Sequence, residues 1–271
     1  MHVIVSHDID HLTVAEHCRD MILPKFLIRS KVELLSGKIS LAEFFSRMGY
    51  VFRNKWQNLE ELMDFNGIHG IPSTFFVGVN QGKGLVYPRV KAAYWINRIR
   101  ERGFQAGVHG IRFESLAGIQ EEYDVFHELS GMESFGIRMH YLRRNEDTLS
   151  NLEAVGYDFD SSEYAVSDPY MIGRMWEFPL HIMDGYIIQH NSRFQNTNLR
   201  KAKELTIKRV EEVNASGCRY LTVLFHDRYF NKGFSTWMEW YVWFMEWIIS
   251  QGMVFTDYPK AISSLGIETG G

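Results

Sequence analysis

The sequence predicts an α/β fold, a distorted (β/α) barrel, from two main observations. Short apolar segments alternate with helical patterns along almost the whole chain, which is typical of parallel strands covered by helices. The chain has 271 residues, and a (β/α) barrel commonly takes about 250. Because no repeat, low-complexity run or linker-like stretch divides the sequence, we expect a single domain over residues 1–271.

Apolar runs and capping residues predict the individual elements. The expected strands cover residues 3–6, 73–79, 104–109, 135–140, 157–160, 185–189, 220–226 and 253–256. The expected helices cover residues 59–65, 89–102, 118–129, 148–155, 199–214 and 234–250, and several of them end at a glycine that suits a left-handed C-cap.

Residues 16–56 are too long for an ordinary connection, so we expect a helical insertion after the first strand. Pro24 and Gly37 suit the two ends of a helix over residues 24–36. Lys31 falls inside the apolar sector of that helix, which Leu27, Ile28, Val32, Leu34 and Leu35 form. Three interpretations stay open: an ordinary docked helix, a lid over the cleft, or a peripheral membrane contact through 24–36.

The insertion has eight Lys/Arg and four Asp/Glu residues. If it is a lid, its positive charge, including Lys25, Arg29 and Lys31, would suit an anionic carrier group such as a diphosphate, or an anionic bilayer.

Two carboxylates stand at the end of the first strand. Asp8 and Asp10 lie on one face of it because strand side chains alternate. Such a pair needs neutralising, which a bound cation would do, although a solvated acidic turn is the alternative.

Polar residues also follow four later strands. They are His109, then Arg138 with His140, then Asp160 with Glu163, and finally His226 with Asp227. Active sites of barrel-type α/β proteins collect at the carboxyl ends of their strands. Five polar clusters in succession therefore predict one site.

These motifs resemble, in order, those of the polysaccharide deacetylase family, also called the NodB-homology or carbohydrate esterase 4 family. Residues 6–10 (SHDID) resemble its first motif, and His109 matches the first histidine of H-S/T-x-x-H. Residues 138–141 (RMHY) are similar to R-x-P-Y, residues 160–164 (DSSEY) to D-S-x-D-W, and residues 224–226 (LFH) to the last motif.

The resemblance implies a NodB-type barrel, a divalent metal with zinc favoured, and hydrolysis of an amide. It implies that Asp10 and His109 bind the metal and that Asp8 is the base, oriented by Arg138. His226 would be the acid, assisted by Glu163 or Asp160, with Asp227 as a further possibility. Tyr141, Leu224 and His181 are expected to contact substrate.

One departure from the family pattern concerns the metal. Phe113 stands where the second metal-binding histidine is expected, four residues after His109. His140 replaces the proline of R-x-P-Y and lies on the same strand face as Arg138, so it is the leading third ligand. His11, His7 or the absence of a stable metal site are the alternatives.

The function implied is the removal of an N-acetyl group from an amino sugar in a saccharide. The alternatives are hydrolysis of another linear amide, or a catalytically silent homologue that binds saccharide or scaffolds a biosynthetic complex. The sequence begins without a recognisable secretory signal, so we expect a cytoplasmic protein. A cytoplasmic enzyme favours a carrier-linked intermediate of surface-polysaccharide synthesis, such as a lipopolysaccharide precursor.

The overall composition excludes several other classes of protein. The net charge of −4 indicates no nucleic-acid partner. The most apolar stretch, residues 237–249, is shorter than the about 20 residues of a membrane span, so no transmembrane segment is expected. Cys18 and Cys218 are far apart in sequence, which predicts neither a disulfide framework nor a thiolate zinc site.

Overall fold

The strands form one curled sheet in the computed structural model, which describes residues 1–269. Their order is β6-β7-β5-β4-β3-β2-β1-β9-β8, and β10 pairs with the first half of β1. Strand β6 runs antiparallel to β7, and the other pairings are parallel. The strands are β1 (His2–Ile9), β2 (Ser73–Val77), β3 (Gln105–Gly110), β4 (Ile137–Met139), β5 (Phe159–Asp160), β6 (Tyr170–Ile172), β7 (Met175–Glu177), β8 (Ile182–Met183), β9 (Tyr220–Leu224) and β10 (Val254–Thr256).

The helices lie between these strands along the chain, except for α10, which follows β10. They are α1 (Ile22–Leu35), α2 (Leu41–Phe52), α3 (Leu59–Ile68), α4 (Arg89–Glu101), α5 (Leu116–Ser130), α6 (Thr148–Val155), α7 (Asp184–Ile188), α8 (Leu199–Ala215), α9 (Ser235–Ser250) and α10 (Tyr258–Thr269). Among the described residues, no helix combines the length and the apolar composition that crossing a membrane requires.

Aromatic contacts inside the sheet demonstrate its curl. Phe178, just after β7, lies 6.3 Å from Tyr220 of β9, measured between ring centroids. These strands are six positions apart in the sheet order, which corresponds to roughly 29 Å in a flat sheet. The inner cluster also contains Phe76, Phe159 and Tyr258, so α10 packs its first turn inside the curled sheet.

The predicted α/β fold class, a distorted (β/α) barrel, is confirmed by the curled, mostly parallel sheet and its helical crossovers. One predicted strand is wrong: residues 185–189 lie in and just after helix α7. Ile187 and Ile188 are buried on that helix. A short apolar run of this kind does not distinguish a strand from a buried helical turn.

The predicted insertion contains α1 and α2. Helix α1 begins at Ile22, two residues before the predicted start. Ser40 begins α2, because its hydroxyl accepts a hydrogen bond from the Glu43 amide while the Glu43 carboxylate accepts one from the Ser40 amide.

Candidate active site

A pocket of about 410 Å³ opens at the carboxyl ends of β1, β3, β4 and β9. Asp8, Asp10, His109, His140 and His226 line it together. Parallel strands bring these five side chains together because their carboxyl ends lie at the same edge of the sheet. Residues of α1 and α7 also line the pocket.

Arg138 is fully buried and oriented by several hydrogen bonds. Its Nη1 donates to Asp8 Oδ1 at 3.1 Å and to Ser6 Oγ at 2.8 Å. Its Nε donates to the Ser161 carbonyl at 2.9 Å, and its Nη2 donates to Ser161 Oγ and to Tyr258 Oη. The Asp8 carboxylate is therefore held in one position by a guanidinium that is itself fixed.

Asp10, His109 and His140 form a triangle of possible metal ligands. His109 Nε2 lies 3.2 Å from Asp10 Oδ1 and 3.0 Å from His140 Nδ1. His140 Nδ1 lies 3.2 Å from the same Asp10 oxygen. Ligand atoms of a tetrahedral zinc ion, at bonds of about 2.0–2.1 Å, lie about 3.3–3.4 Å from each other.

Backbone carbonyls orient the imidazole rings of His109 and His140. His109 Nδ1 donates to the Arg138 carbonyl at 3.0 Å, and His140 Nε2 lies 3.3 Å from the Lys83 carbonyl. With hydrogen on these nitrogens, both remaining lone pairs point at the Asp10 carboxylate. Such a cluster needs a positive charge at its centre, and its two nitrogens and one oxygen suit a divalent zinc ion.

The pKa shifts of His109 and Asp10 agree with a positive charge at the centre of this triangle. Burial by itself lowers the pKa of His109, but the carboxylates of Asp8 and Asp10 raise it above its usual value. Burial would raise the pKa of Asp10, yet the imidazoles of His109 and His140 hold it well below its usual range. The site therefore favours positive charge next to an ionised Asp10.

Asp184 occupies the position beside His226 that the motifs suggested for Glu163 or Asp160. Its Oδ1 lies 2.9 Å from His226 Nδ1, and its Oδ2 accepts the His226 backbone N–H at 2.8 Å. Burial lowers the pKa of His226, but the Asp184 carboxylate raises it well above its usual value. His226 Nε2 consequently faces the pocket, 3.7 Å from Asp10 Oδ2.

Glu163 and Asp160 are bonded elsewhere, so the expectation that either assists His226 is wrong. Glu163 accepts hydrogen bonds from Arg144 at 2.6 Å and from the Tyr170 hydroxyl at 2.8 Å. Asp160 accepts the Ser162 hydroxyl at 2.6 Å, and Ser162 Oγ in turn accepts the Met139 amide. Through Ser162, Asp160 thus supports the end of β4, where Arg138 and His140 lie.

Asp227 is also turned away from His226. Its Oδ2 accepts the Asn58 amide at 3.1 Å, and burial raises its pKa to about 7. It anchors the start of α3.

Two of the three expected substrate contacts line the pocket. Leu224 contributes an apolar wall, and Tyr141 is exposed at the rim. Tyr141 has a φ of 61°, which is rare for a bulky residue and marks a constrained turn beside His140. His181 is not a lining residue among those described, because its ring is bonded to Thr222 and to the Ser167 carbonyl.

The alternative metal ligands His7 and His11 lie outside the triangle. His7 faces the helices, where its Nδ1 donates to the Phe225 carbonyl and its Nε2 contacts Asn66; burial lowers its pKa to about 3. His11 lines the pocket, but its ring packs against His17 and Trp56.

Phe113, at the place of the missing histidine, packs under a guanidinium. The Arg143 guanidinium carbon lies 4.9 Å from its ring centroid. Arg143 also donates to the carbonyls of His140 and Ile111. This arrangement ties the turn after β3 to the turn after β4, which carries His140.

The pocket also has basic lining residues. Lys25 and Arg29 of α1 line it together with Arg228, which lies two residues after His226. Arg29 is paired with Glu33 at 2.8 Å. Lys25 and Arg228 form no ion pair with the residues that the structure describes. The pocket therefore combines a metal-type donor set with basic side chains.

Sequence reasoning missed Asp184 and Arg228. Asp184 directly follows β8, so it stands at a strand end like the other site residues. That position is the signal that could have found it, but a strand of two residues shows no clear periodicity.

No protein-family model and no curated protein sequence matches the chain. Solved structures share its fold. A Mycobacterium smegmatis protein assigned as a polysaccharide deacetylase has a TM-score of 0.63 at 17% identity, covering 98% of this chain and 90% of that one. Puue allantoinase has a TM-score of 0.63 at 12% identity, with coverages of 97% and 88%.

A carbohydrate esterase 4 family pseudoenzyme from Bacillus anthracis has a TM-score of 0.52 at 8% identity, covering 96% of this chain and 65% of that one. At such identities the likeness concerns the fold. The resemblance to polysaccharide deacetylases that the motifs indicate is confirmed at that level, and this chain has a divergent form of their fold.

Proposed function

We propose that the protein is a metal-dependent hydrolase that removes the acetyl group from an N-acetylated amino sugar. The observation that carries the proposal is the triangle of Asp10, His109 and His140, whose ligand atoms are 3.0–3.2 Å apart in the pocket that also holds Asp8 and His226. A base, an acid and a metal-type donor set in one pocket are the parts that amide hydrolysis requires.

Asp10, His109 and His140 would hold the ion, with zinc favoured by the donor set. When bound, zinc supplies a Lewis acid for the amide carbonyl.

Asp8 is the proposed base. Its carboxylate accepts a proton from the attacking water, while Arg138 keeps the carboxylate oriented toward the pocket. Because Arg138 is fixed by Ser161 and Tyr258, Asp8 does not have to reorganise during the reaction.

His226 is the proposed acid. Asp184 holds hydrogen on Nδ1 and stabilises the imidazolium, so that Nε2 donates its proton to the leaving nitrogen. The amide C–N bond breaks, the water oxygen bonds to the carbonyl carbon, and acetate and a free amine are released.

The finer proposal concerns the substrate, for which we favour a sugar linked to an anionic carrier within the cytoplasm. Leu224 provides an apolar wall for the acetyl methyl group. Lys25 and Arg228, which line the same pocket, suit a phosphate or diphosphate. An intermediate of surface-polysaccharide synthesis has this combination of groups.

A second candidate is a catalytically silent homologue that binds saccharide. Phe113 at the usual histidine position favours it, and the fold is shared with a pseudoenzyme. The geometry of His140 argues for the enzyme, because a third donor completes the triangle.

The test is to measure zinc in protein purified without chelator and to assay acetate release from N-acetylglucosamine, its nucleoside-diphosphate derivative and a simple acetamide. One zinc ion per chain, with acetate release that Asp8→Asn abolishes without metal loss, is the expected result. Protein that has neither metal nor turnover would support the silent homologue. Release from the acetamide alone would indicate another linear amide.

A further inference from the structure

Helices α1 and α2 have an unusual orientation, since they bury charges and expose apolar side chains. Glu33 of α1 and Arg47 of α2 are both fully buried, with Arg47 Nη1 2.6 Å from Glu33 Oε2. Arg47 Nε also donates to the Gly233 carbonyl, and Glu33 Oε1 accepts the Gln195 amide. Hydrogen bonds therefore join the inner faces of both helices to the rest of the protein.

The outer side of α1 is apolar. Ile28, Val32 and Leu35 are exposed, Leu35 by 88%. At roughly 100° per residue, these three lie within a narrow arc on the side opposite Phe26, Ser30 and Glu33. Solvent-facing stripes of globular proteins are normally polar, so this orientation is the reverse of the usual one.

Helix α2 repeats the pattern. Leu41, Phe45 and Phe52 lie on one side of it, and all three are exposed, Phe45 by 63% and Phe52 by 88%. We call Ile28, Val32, Leu35, Leu41, Phe45 and Phe52 the outer apolar face. An exposed set of this kind on adjacent helices is a mark of an interaction surface.

The insertion, residues 16–56, has four acidic residues, and each of them is bonded to another residue of the protein. Glu16 pairs with Lys91, Asp20 with His17, and Glu43 accepts from Ser235. Glu33 is the buried partner of Arg47.

Three of the eight basic residues are paired: Arg29 and Arg47 with Glu33, and Lys55 with Glu61. Arg19, Lys25 and Lys31 are exposed and form no ion pair with any described residue. Lys38 is exposed as well, and its Nζ lies 3.5 Å from the side-chain oxygen of Asn196. The uncompensated charge of residues 16–56 is therefore positive.

We propose that the outer apolar face of α1 and α2 binds the surface of an anionic lipid bilayer. Apolar side chains surrounded by lysines are what an interfacial helix presents to lipid, where the side chains enter the acyl boundary and the lysines meet anionic headgroups. The inner face of α1 contributes Phe26 and its flank contributes Lys25 to the pocket, so the pocket opens beside the bound bilayer. Membrane binding does not depend on the catalytic proposal.

The experiment is co-sedimentation of the full chain with vesicles of phosphatidylcholine alone or mixed with phosphatidylglycerol. The test variant is Leu35→Asp/Phe45→Asp, and its matched control is Ile68→Asp/Val90→Asp, which changes exposed apolar residues of α3 and α4. Circular dichroism and thermal melting check that every variant is folded.

The wild type and the control are expected to bind the anionic vesicles. Binding falls at least about tenfold for Leu35→Asp/Phe45→Asp and roughly tenfold for Lys31→Glu, and it weakens in high salt. Equal loss in the control, or no sedimentation of the wild type with anionic vesicles, overturns the proposal. A dimer that the test variant abolishes, without vesicle binding, assigns the face to a second copy and also overturns it.

Discussion

Asp184 is the residue on which the proposed acid depends most directly. Its carboxylate contacts His226 at both Nδ1 and the backbone N–H. Removing its charge leaves His226 in its place but lets the ring adopt the wrong tautomer, as happens when the carboxylate of a catalytic triad is lost.

We predict that Asp184→Asn lowers acetate release on the order of 10²–10⁴-fold while one zinc ion per chain remains. Glu163→Gln is the matched comparison, since Glu163 is bonded to Arg144 and Tyr170. Its expected effect on turnover is small. A larger loss in Glu163→Gln than in Asp184→Asn would contradict the arrangement described for His226.

A substitution at Phe113 tests whether His140 has taken the place of the family's second metal-binding histidine. We predict that Phe113→His does not tighten zinc binding, because the three donors are already present and the ring at position 113 packs on Arg143. Zinc affinity by competition with a chromophoric chelator is the measurement. A clear gain in affinity would mean that the usual family geometry still governs the site.

At this scale the strand-end motifs predicted the histidines of the triangle and the carboxylates Asp8 and Asp10 that lie with them in the pocket. Asp8, Asp10, His109, Arg138, His140 and His226 are brought together, because a motif at a parallel strand end specifies a position in space. Asp184 could not be predicted with the same ease, since β8, which it follows, has only two residues and shows no periodicity.

At the scale of elements, α1 presents two different sides. Lys25 lines the pocket, whereas Lys31 points outward. The sequence grouped Lys25, Arg29 and Lys31 as one basic cluster, and the structure separates them because Arg29 is held by Glu33.

We therefore predict that Lys25→Glu raises the KM for the nucleoside-diphosphate sugar several-fold, because it removes a cation from the pocket and adds a negative charge. The KM for the neutral sugar should stay unchanged. Lys31→Glu is the matched control and should alter neither value. Equal effects of Lys25→Glu on both substrates would rule out recognition of an anionic carrier.

The Glu33–Arg47 pair joins α1 to α2 and is a source of pH-dependent stability. Burial alone raises the pKa of Glu33, but Arg29 and Arg47 lower it below its ordinary value of 4.5. Because the folded pKa is the lower one, this stabilisation is present above pH 4.5 and is lost as pH falls through the folded pKa.

We predict that Glu33→Gln lowers the free energy of unfolding by about 3 kcal/mol near neutral pH, since it leaves Arg47 buried without its partner. The variant's Tm should also fall less than that of the wild type on acidification below pH 4.5. The exposed pair of Arg89 with Glu121 provides the control, and Glu121→Gln should cost less than about 1 kcal/mol. Parallel acid profiles for wild type and Glu33→Gln would exclude this source of pH dependence.

At the scale of the whole molecule, alternation of apolar and helical segments was enough to predict the barrel, because parallel strands require helical crossovers. The three consecutive strands β6, β7 and β8 were missed, since each has only two or three residues and no helix separates them, so the alternation of strand and helix is lost there. The burial of Glu33 was also unpredictable from helical periodicity, which places charged residues toward solvent.

The central claim is that His140 completes a metal site with Asp10 and His109. The most direct measurement is the zinc content of His140→Ala by elemental mass spectrometry, beside wild type and His11→Ala prepared identically. We predict one zinc ion per chain in the wild type and in His11→Ala, and loss of bound zinc in folded His140→Ala, because two remaining donors do not retain the ion. Full zinc content in His140→Ala, or its loss in His11→Ala alone, would contradict the site described here.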